Sequence, residues 1–217
     1  EEVILMVKHS MSGLQIPVFT RRCLIFIALF TPFAYILAKV VALQMGDYEI
    51  LGPEPGKAIV WFTGEWSFNA LLLTLAVGPA RQWFNWKWPL AHRRMLGLFV
   101  MFYATLHLLS YMAFLLAWQW QDIGSELVER PYLTLGFLAW LLLIPLSITS
   151  TKGWQRRLKR KWKSIHKVIY LIAILCVVHY LLQIRSNWFE PSLYAFITLA
   201  LLGQRFSWAK FKGFFLR

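Results

Sequence analysis

Charge is scarce in this chain, and negative charge is scarcer. Only 15% of the 217 residues are Asp, Glu, Lys or Arg, and ten acidic residues stand against 23 basic ones. A soluble domain carries roughly a quarter charged residues, so a surface bathed in water on all sides is excluded. Cysteine is nearly missing. Cys23 and Cys176 each fall inside an apolar block and read as packing residues. Neither belongs to a C-x-x-C-H or zinc-type spacing, which excludes a covalently attached c-type haem and a structural zinc site. No G-x-G-x-x-G or P-loop occurs, so nicotinamide or nucleotide chemistry falls to another protein. No pair of interrupted helices recurs at matching positions, as a transporter repeat would require. The loops between apolar blocks leave no room for a soluble domain.

What is abundant is apolar surface: 59% of the residues, with 12 Trp. It is arranged in six blocks, at about 22–43, 58–78, 94–118, 131–149, 164–184 and 191–206. Each is near the length that crosses ~30 Å of hydrocarbon. The expected fold is an all-α bundle of six transmembrane helices, a single domain over 1–217. The short apolar run Val3–Val7 and the adjoining Arg21 and Arg22 argue for a retained anchor over a cleaved signal peptide. Eighteen basic residues fall in alternate loops and tails, whereas the other three loops hold only Lys57, Arg130 and Arg185. The positive-inside rule places both termini in the cytoplasm. Basic segments of this kind face anionic membrane lipid, and nucleic acid is not needed to explain them. The opposite face is acidic, with Asp47, Glu49, Glu54, Asp122, Glu126, Glu129 and Glu190. Most tryptophans flank span ends, as interfacial belts do. Glu65 and Lys39 are the charges well inside spans, and they read as snorkelling groups or as a mutual pair.

The histidines are the chemistry-bearing residues. Imidazole in hydrocarbon costs free energy unless something binds it. His107 lies 13 residues into the third span and His179 lies 15 into the fifth, roughly 20 and 22 Å of helix. These two spans run in the same direction, so the rings reach one level, in the outer half of the membrane. Two imidazoles at one depth on neighbouring helices can clamp a planar metal macrocycle, and a b-type haem with two axial histidines needs that arrangement. His166 is 13 residues before His179, about 140° away on an ideal helix, and sits near the cytoplasmic boundary. The histidine available at its level is His92, which stands among cations in "AHRRML" and reads as solvated. Arg81, Arg93 and Arg94 lie at the level where propionates of an inner haem need cations. One haem is expected and a second stays open. A transporter with histidines in a proton path is the competing class, as is a self-contained ferric- or oxygen-reducing subunit.

The chain resembles the haem-binding membrane subunit of the protein-methionine-sulfoxide reductase system, the MsrQ or YedZ family, among the ferric-reductase-like transmembrane domains. The resemblance rests on "FTG" at 62–64, "RRMLGL" at 93–98, "ATLHLLSY" at 104–111, "RPYLTLG" at 130–136, "TST" at 149–151, "W-x-x-x-H-x-x-x-Y" at 162–170 and "HYL" at 179–181. It implies a multi-pass protein of the bacterial inner membrane that binds haem b, with His107, His166 and His179 at the family's ligand positions. It also implies an electron-transport role in protein repair. Electrons come from the quinone pool, with flavin mononucleotide associated, and pass to a periplasmic molybdenum-containing methionine-sulfoxide reductase that holds the catalytic site. Related oxidases carry a further histidine on the third span where this chain has Arg93, with His92 beside it.

Overall fold

In hydrocarbon, backbone N–H and C=O groups find no water, so each apolar block satisfies them internally by coiling into helix. The computed structural model describes residues 17–86, 88–184 and 187–215, with side chains through residue 204. The helices are α1 (Val18–Gln44), α2 (Pro55–Trp83), α3 (Pro89–Ser110), α4 (Ile123–Glu129), α5 (Pro131–Ile148), α6 (Lys152–Leu158), α7 (Arg160–His166), α8 (Val168–Gln183) and α9 (Phe189–Phe215). Proline opens α2, α3 and α5, where its missing N–H would have had no partner and its fixed φ suits the helix. The Val3–Val7 run lies outside the described residues. So do Lys8, Lys87, Arg185 and Arg217, and the side chains of Arg205, Lys210 and Lys212.

Five stretches are long and apolar enough to cross a membrane: α1, α2, α3 with its extension to Leu115, α5, and Arg160–Gln183. The sixth expected span falls on α9, which is helical but is not one of these five.

The closest packing is α2 along α3, followed by α5 along α8. Leu71, Leu75, Val100, Tyr103, Ile172 and Ala173 form the most deeply buried layer. Tyr103 is fully buried, and its hydroxyl donates to Leu29 O at 2.6 Å, tying α3 to α1. Thr63 and Thr74 answer their hydroxyls on carbonyls one turn back, as an apolar setting demands.

Two expected helices are broken. Span three does not run as one α-helix to residue 118, because the α-helix ends at Ser110 and a π turn covers Tyr111–Leu115. Ala117 and Trp118 then take φ of 47° and 59° and reverse the chain. This folds α4 back toward the bundle, where Tyr111 Oη donates to Glu126 at 2.7 Å and Thr134 Oγ1 donates to Leu127 O. Span five is interrupted at Lys167, which separates α7 from α8.

Three readings of single residues change. Cys23 is exposed on the bundle's outside rather than packed. Lys39 and Glu65 form no mutual pair: the Lys39 ammonium lies 4.8 Å from the Tyr35 ring centroid, while Glu65 lines an internal cavity. His92 is not solvated, being only 2% exposed.

Candidate functional site

The bundle encloses a cavity of about 440 Å³ between α2, α3, α5 and α8, roofed by α4. Its wall is almost wholly apolar, with Phe68, Val100, Leu143 and Phe137 among its lining residues. Glu65, Glu126 and Gln183 also line it, and two imidazoles face each other across it. His107 from α3 and His179 from α8 stand with ring centroids 6.2 Å apart and planes at 84°. The structure thus brings together the two histidines that depth counting singled out.

Each ring is held in the same way. His107 Nδ1 bonds Val60 O at 2.8 Å, and His179 Nδ1 bonds Tyr132 O at 2.6 Å. A carbonyl can only accept, so Nδ1 carries the hydrogen in both rings and Nε2 keeps its lone pair. That is the tautomer a metal-ligating histidine needs, fixed by an outer hydrogen bond of the kind that orients metal ligands.

Both accepting carbonyls lie four residues before a glycine. Gly64 follows Val60 on α2 and Gly136 follows Tyr132 on α5. A Cβ on Gly64 would meet His107 Cε1 and Nδ1 at 3.0 Å, and one on Gly136 would meet His179 Cε1 and Nδ1 at 2.8 Å. A bare backbone is what lets each ring reach a helix carbonyl that a side chain would screen. These glycines were present in the sequence as the last letters of "FTG" and "RPYLTLG". Their role was not readable there, because a glycine's neighbour across a helix pair is a tertiary fact.

The remaining candidates lie elsewhere. His166 stacks on Trp162 at 4.0 Å, its Nδ1 donates to Trp162 O at 3.1 Å, and Arg93 lies within electrostatic reach of it. His92 contacts the Trp88 ring and feels Arg21 and Arg22 instead. His92 and His166 therefore keep different company. Arg81 and Arg94 are exposed, and Arg93 is half-buried.

Among the described residues no three His, Cys, Asp or Glu side chains group as a metal site. A metal held by only two protein ligands must bring its other donors with it, and a porphyrin does so. Two imidazole nitrogens on opposite sides of one ion, each at about 2 Å, put the ring centroids roughly 6 Å apart. The observed spacing, the two Nε2 lone pairs and the mostly apolar cavity fit that group.

A helical membrane bundle with paired, outward-anchored imidazoles around a mostly apolar cavity defines a class, and the comparisons agree with it. Residues 63–177, more than half the chain, match the family model for the ferric reductase like transmembrane component. Proteins named protein-methionine-sulfoxide reductase heme-binding subunit MsrQ are similar over most of their length. The one from Xanthomonas oryzae pv. oryzae (strain MAFF 311018) is 42% identical, covering 89% of this chain and 88% of that protein. The one from Xanthomonas campestris pv. campestris (strain B100) is 48% identical over 75% and 74%, and the one from Rhodospirillum rubrum is 40% identical over 85% and 86%. The chain belongs to the ferric-reductase-like transmembrane family and, within it, to the MsrQ group.

Proposed function

We propose that this chain is the haem-binding electron-transfer subunit of a methionine-sulfoxide reductase system in a bacterial inner membrane. The observation that carries the reading is the His107–His179 pair, with both Nδ1 atoms on backbone carbonyls and both Nε2 lone pairs left for iron. Haem b, when bound, supplies reversible one-electron chemistry. The protein's part is to fix the two rings, exclude water from the cavity and set its depth. His166, with Arg93 beside it and Arg81 and Arg94 at the same end, is the position from which a second, inner haem would be held. His92, turned toward Arg21 and Arg22, is a poor partner for it.

Electrons enter from the quinone pool, directly or through flavin mononucleotide, and leave to a periplasmic molybdenum-containing reductase that repairs oxidised proteins. The whole chain acts as one six-span unit with both termini in the cytoplasm. Reporter fusions at residue 217 and near residue 125 should mark opposite sides of the membrane, and a shared side would overturn the six-span topology.

The face over the cavity is where the acceptor docks. The loop 121–132 supplies Asp122, Glu126 and Glu129, and their surroundings differ. Glu126 is engaged by Tyr111 Oη at 2.7 Å and by Arg130 at 3.1 Å, and its side chain is only 19% exposed. The Tyr132 side chain most, and the Glu126 carboxylate after it, hold Arg130 above its usual pKa against the opposing effect of burial. Asp122 and Glu129 remain to meet a partner, beside Trp120 and the exposed Val128.

The function is tested on the purified chain by pyridine-haem assay and by its reoxidation by the soluble reductase. D122N/E129Q should slow reoxidation and weaken its salt dependence with the haem spectrum unchanged, because the exposed Glu129 and the partly exposed Asp122 would steer association through a field screened over ~8–10 Å. E126Q should instead disturb the spectrum by loosening α4. A colourless chain would sink the haem reading, and equal rates at low and moderate salt for D122N/E129Q would move the docking surface elsewhere.

A further inference from the structure

The cavity between α2, α3, α5 and α8 presents an electrostatic difficulty for the guest proposed for it. Besides the two imidazoles, its ionisable side chains include the acids Glu65 and Glu126, and among the described residues no Lys or Arg lines it. Haem brings two further carboxylates, its propionates. A carboxylate set among acids in a mostly apolar wall gains neither solvation nor a counter-charge. Cations are scarce around this end of the bundle as well. Lys57 is paired with Glu54 at 3.0 Å, and the Lys39 ammonium lies over the Tyr35 ring.

Arg130 is placed differently. It stands at the turn between α4 and α5, one contact behind the lining, where it bonds Glu126 Oε1 at 3.1 Å. Tyr111, itself a lining residue, donates from Oη to the other oxygen, Glu126 Oε2, at 2.7 Å. One carboxylate is thus gripped at both oxygens, by a guanidinium and by a phenol. That is a carboxylate receptor with a charge-assisted bond in it, and its occupant here is a side chain of the protein. The receptor is also joined to the imidazole anchor. Arg130 donates to the Tyr132 side chain, and the Tyr132 carbonyl is the one that accepts from His179 Nδ1.

The occupant sits on the part of the molecule with least to hold it. α4 has seven residues, and none of them is buried. It follows the left-handed residues Ala117 and Trp118 on one side and ends at Arg130 on the other. Apart from Glu126, the side-chain hydrogen bond that ties α4 to α5 is that of Thr134 Oγ1 on Leu127 O. Few buried contacts make a segment cheap to displace. The Arg130 side chain is about half exposed, so it is free to turn from one carboxylate to another.

We propose that Arg130 and Tyr111 bind a propionate of the haem, and that Glu126 holds their place until it arrives. The inference rests on the proposed haem function and adds which residues receive the charged edge of the group. Both donors exchange one carboxylate for another, so neither is left without an acceptor, and Glu126 moves out toward water with α4.

The test sets haem against haem dimethyl ester, which keeps the iron and the ring but has no propionate charge. Each is titrated into the full chain in detergent, in an H166A background so that one centre is read, and the ratio of the two affinities is taken from absorbance. Without further change, haem should be preferred about tenfold, the gain expected of a charge-assisted bond at a half-exposed arginine. R130Q should remove that preference by weakening haem and sparing the ester. R130K, which keeps the charge and loses the fork, should retain part of it. Y111F should lower the ratio by less than R130Q, and E126Q, which removes the competing acid, should raise it. K57Q takes a cation from the same end of the bundle and should leave the ratio unchanged. A mere loosening of α4 weakens both ligands together, so the ratio separates binding from support. The proposal is overturned if R130Q weakens both ligands equally or neither, if K57Q lowers the ratio as far as R130Q does, or if E126Q lowers it. A chain that binds neither ligand defeats the proposed function as well, whereas one that binds both alike, whatever stands at position 130, defeats this proposal alone.

Discussion

H107A and H179A should each abolish the low-spin haem signal of the His107–His179 centre, as read by absorbance and electron paramagnetic resonance. In the proposed site each ring would supply one of two protein ligands, and no third His, Cys, Asp or Glu groups with them among the described residues. Removing either would leave a bound iron one strong ligand short in a cavity whose wall is mostly apolar. The two variants should therefore look alike and lose nearly all of that signal rather than a fraction of it. H92A should leave that signal in place, although loss of a buried ring should lower the melting temperature. H166A separates one haem from two. An unchanged haem-to-protein ratio means a single centre, and a ratio cut by half means an inner haem that depends on His166. Retention of a bis-histidine spectrum in both H107A and H179A would remove these rings as the ligands.

His107 and His179 were legible in the sequence because their pairing depends on helix rise and span direction alone. Rise is fixed at about 1.5 Å per residue, and direction follows from the alternation of basic loops. Neither quantity needs tertiary contact. His92 was misread for the opposite reason. Its neighbours in sequence include cations, which suggests water, but it is buried, with the Trp88 ring beside it and Arg21 and Arg22 of α1 nearby, and the approach of α1 is announced by nothing local. The break at Lys167 and the π turn at Tyr111–Leu115 were also missed. Hydropathy reads through both, since a π turn or a one-residue interruption leaves the apolar block intact. Glu126 shows a third kind of loss. As a letter it was one more acid on the outer loop, and only the structure distinguishes a carboxylate held by Tyr111 and Arg130 from the exposed Glu129.

The two glycines beneath the histidines yield the sharpest structural prediction. In G136A the new Cβ would stand 2.8 Å from His179 Cε1 and Nδ1, a distance no relaxed contact keeps. The neighbour is a ring pinned by its own hydrogen bond to Tyr132 O, not the loose end of a flexible chain. Either the ring shifts and the Nδ1 bond breaks, or α5 and α8 move apart. Overpacking of this kind costs roughly 1–3 kcal/mol, and disturbing a hydrogen bond that orients a metal ligand typically costs 10- to 100-fold in affinity. G136A should therefore bind haem at least tenfold more weakly and show a displaced low-spin signal while remaining helical. G64A should act in the same direction but less, since its Cβ would meet His107 at 3.0 Å, where a few tenths of an ångström of movement relieves the contact. G97A is the control: its Cβ would have no heavy atom within 4 Å, so Ala there should leave the spectrum as it is and add slightly to helix stability. Equal haem affinity in G136A, G97A and the native chain would mean that the glycine cradle does not position the ring, and that the carbonyl bond to His179 tolerates a methyl group pressed against it.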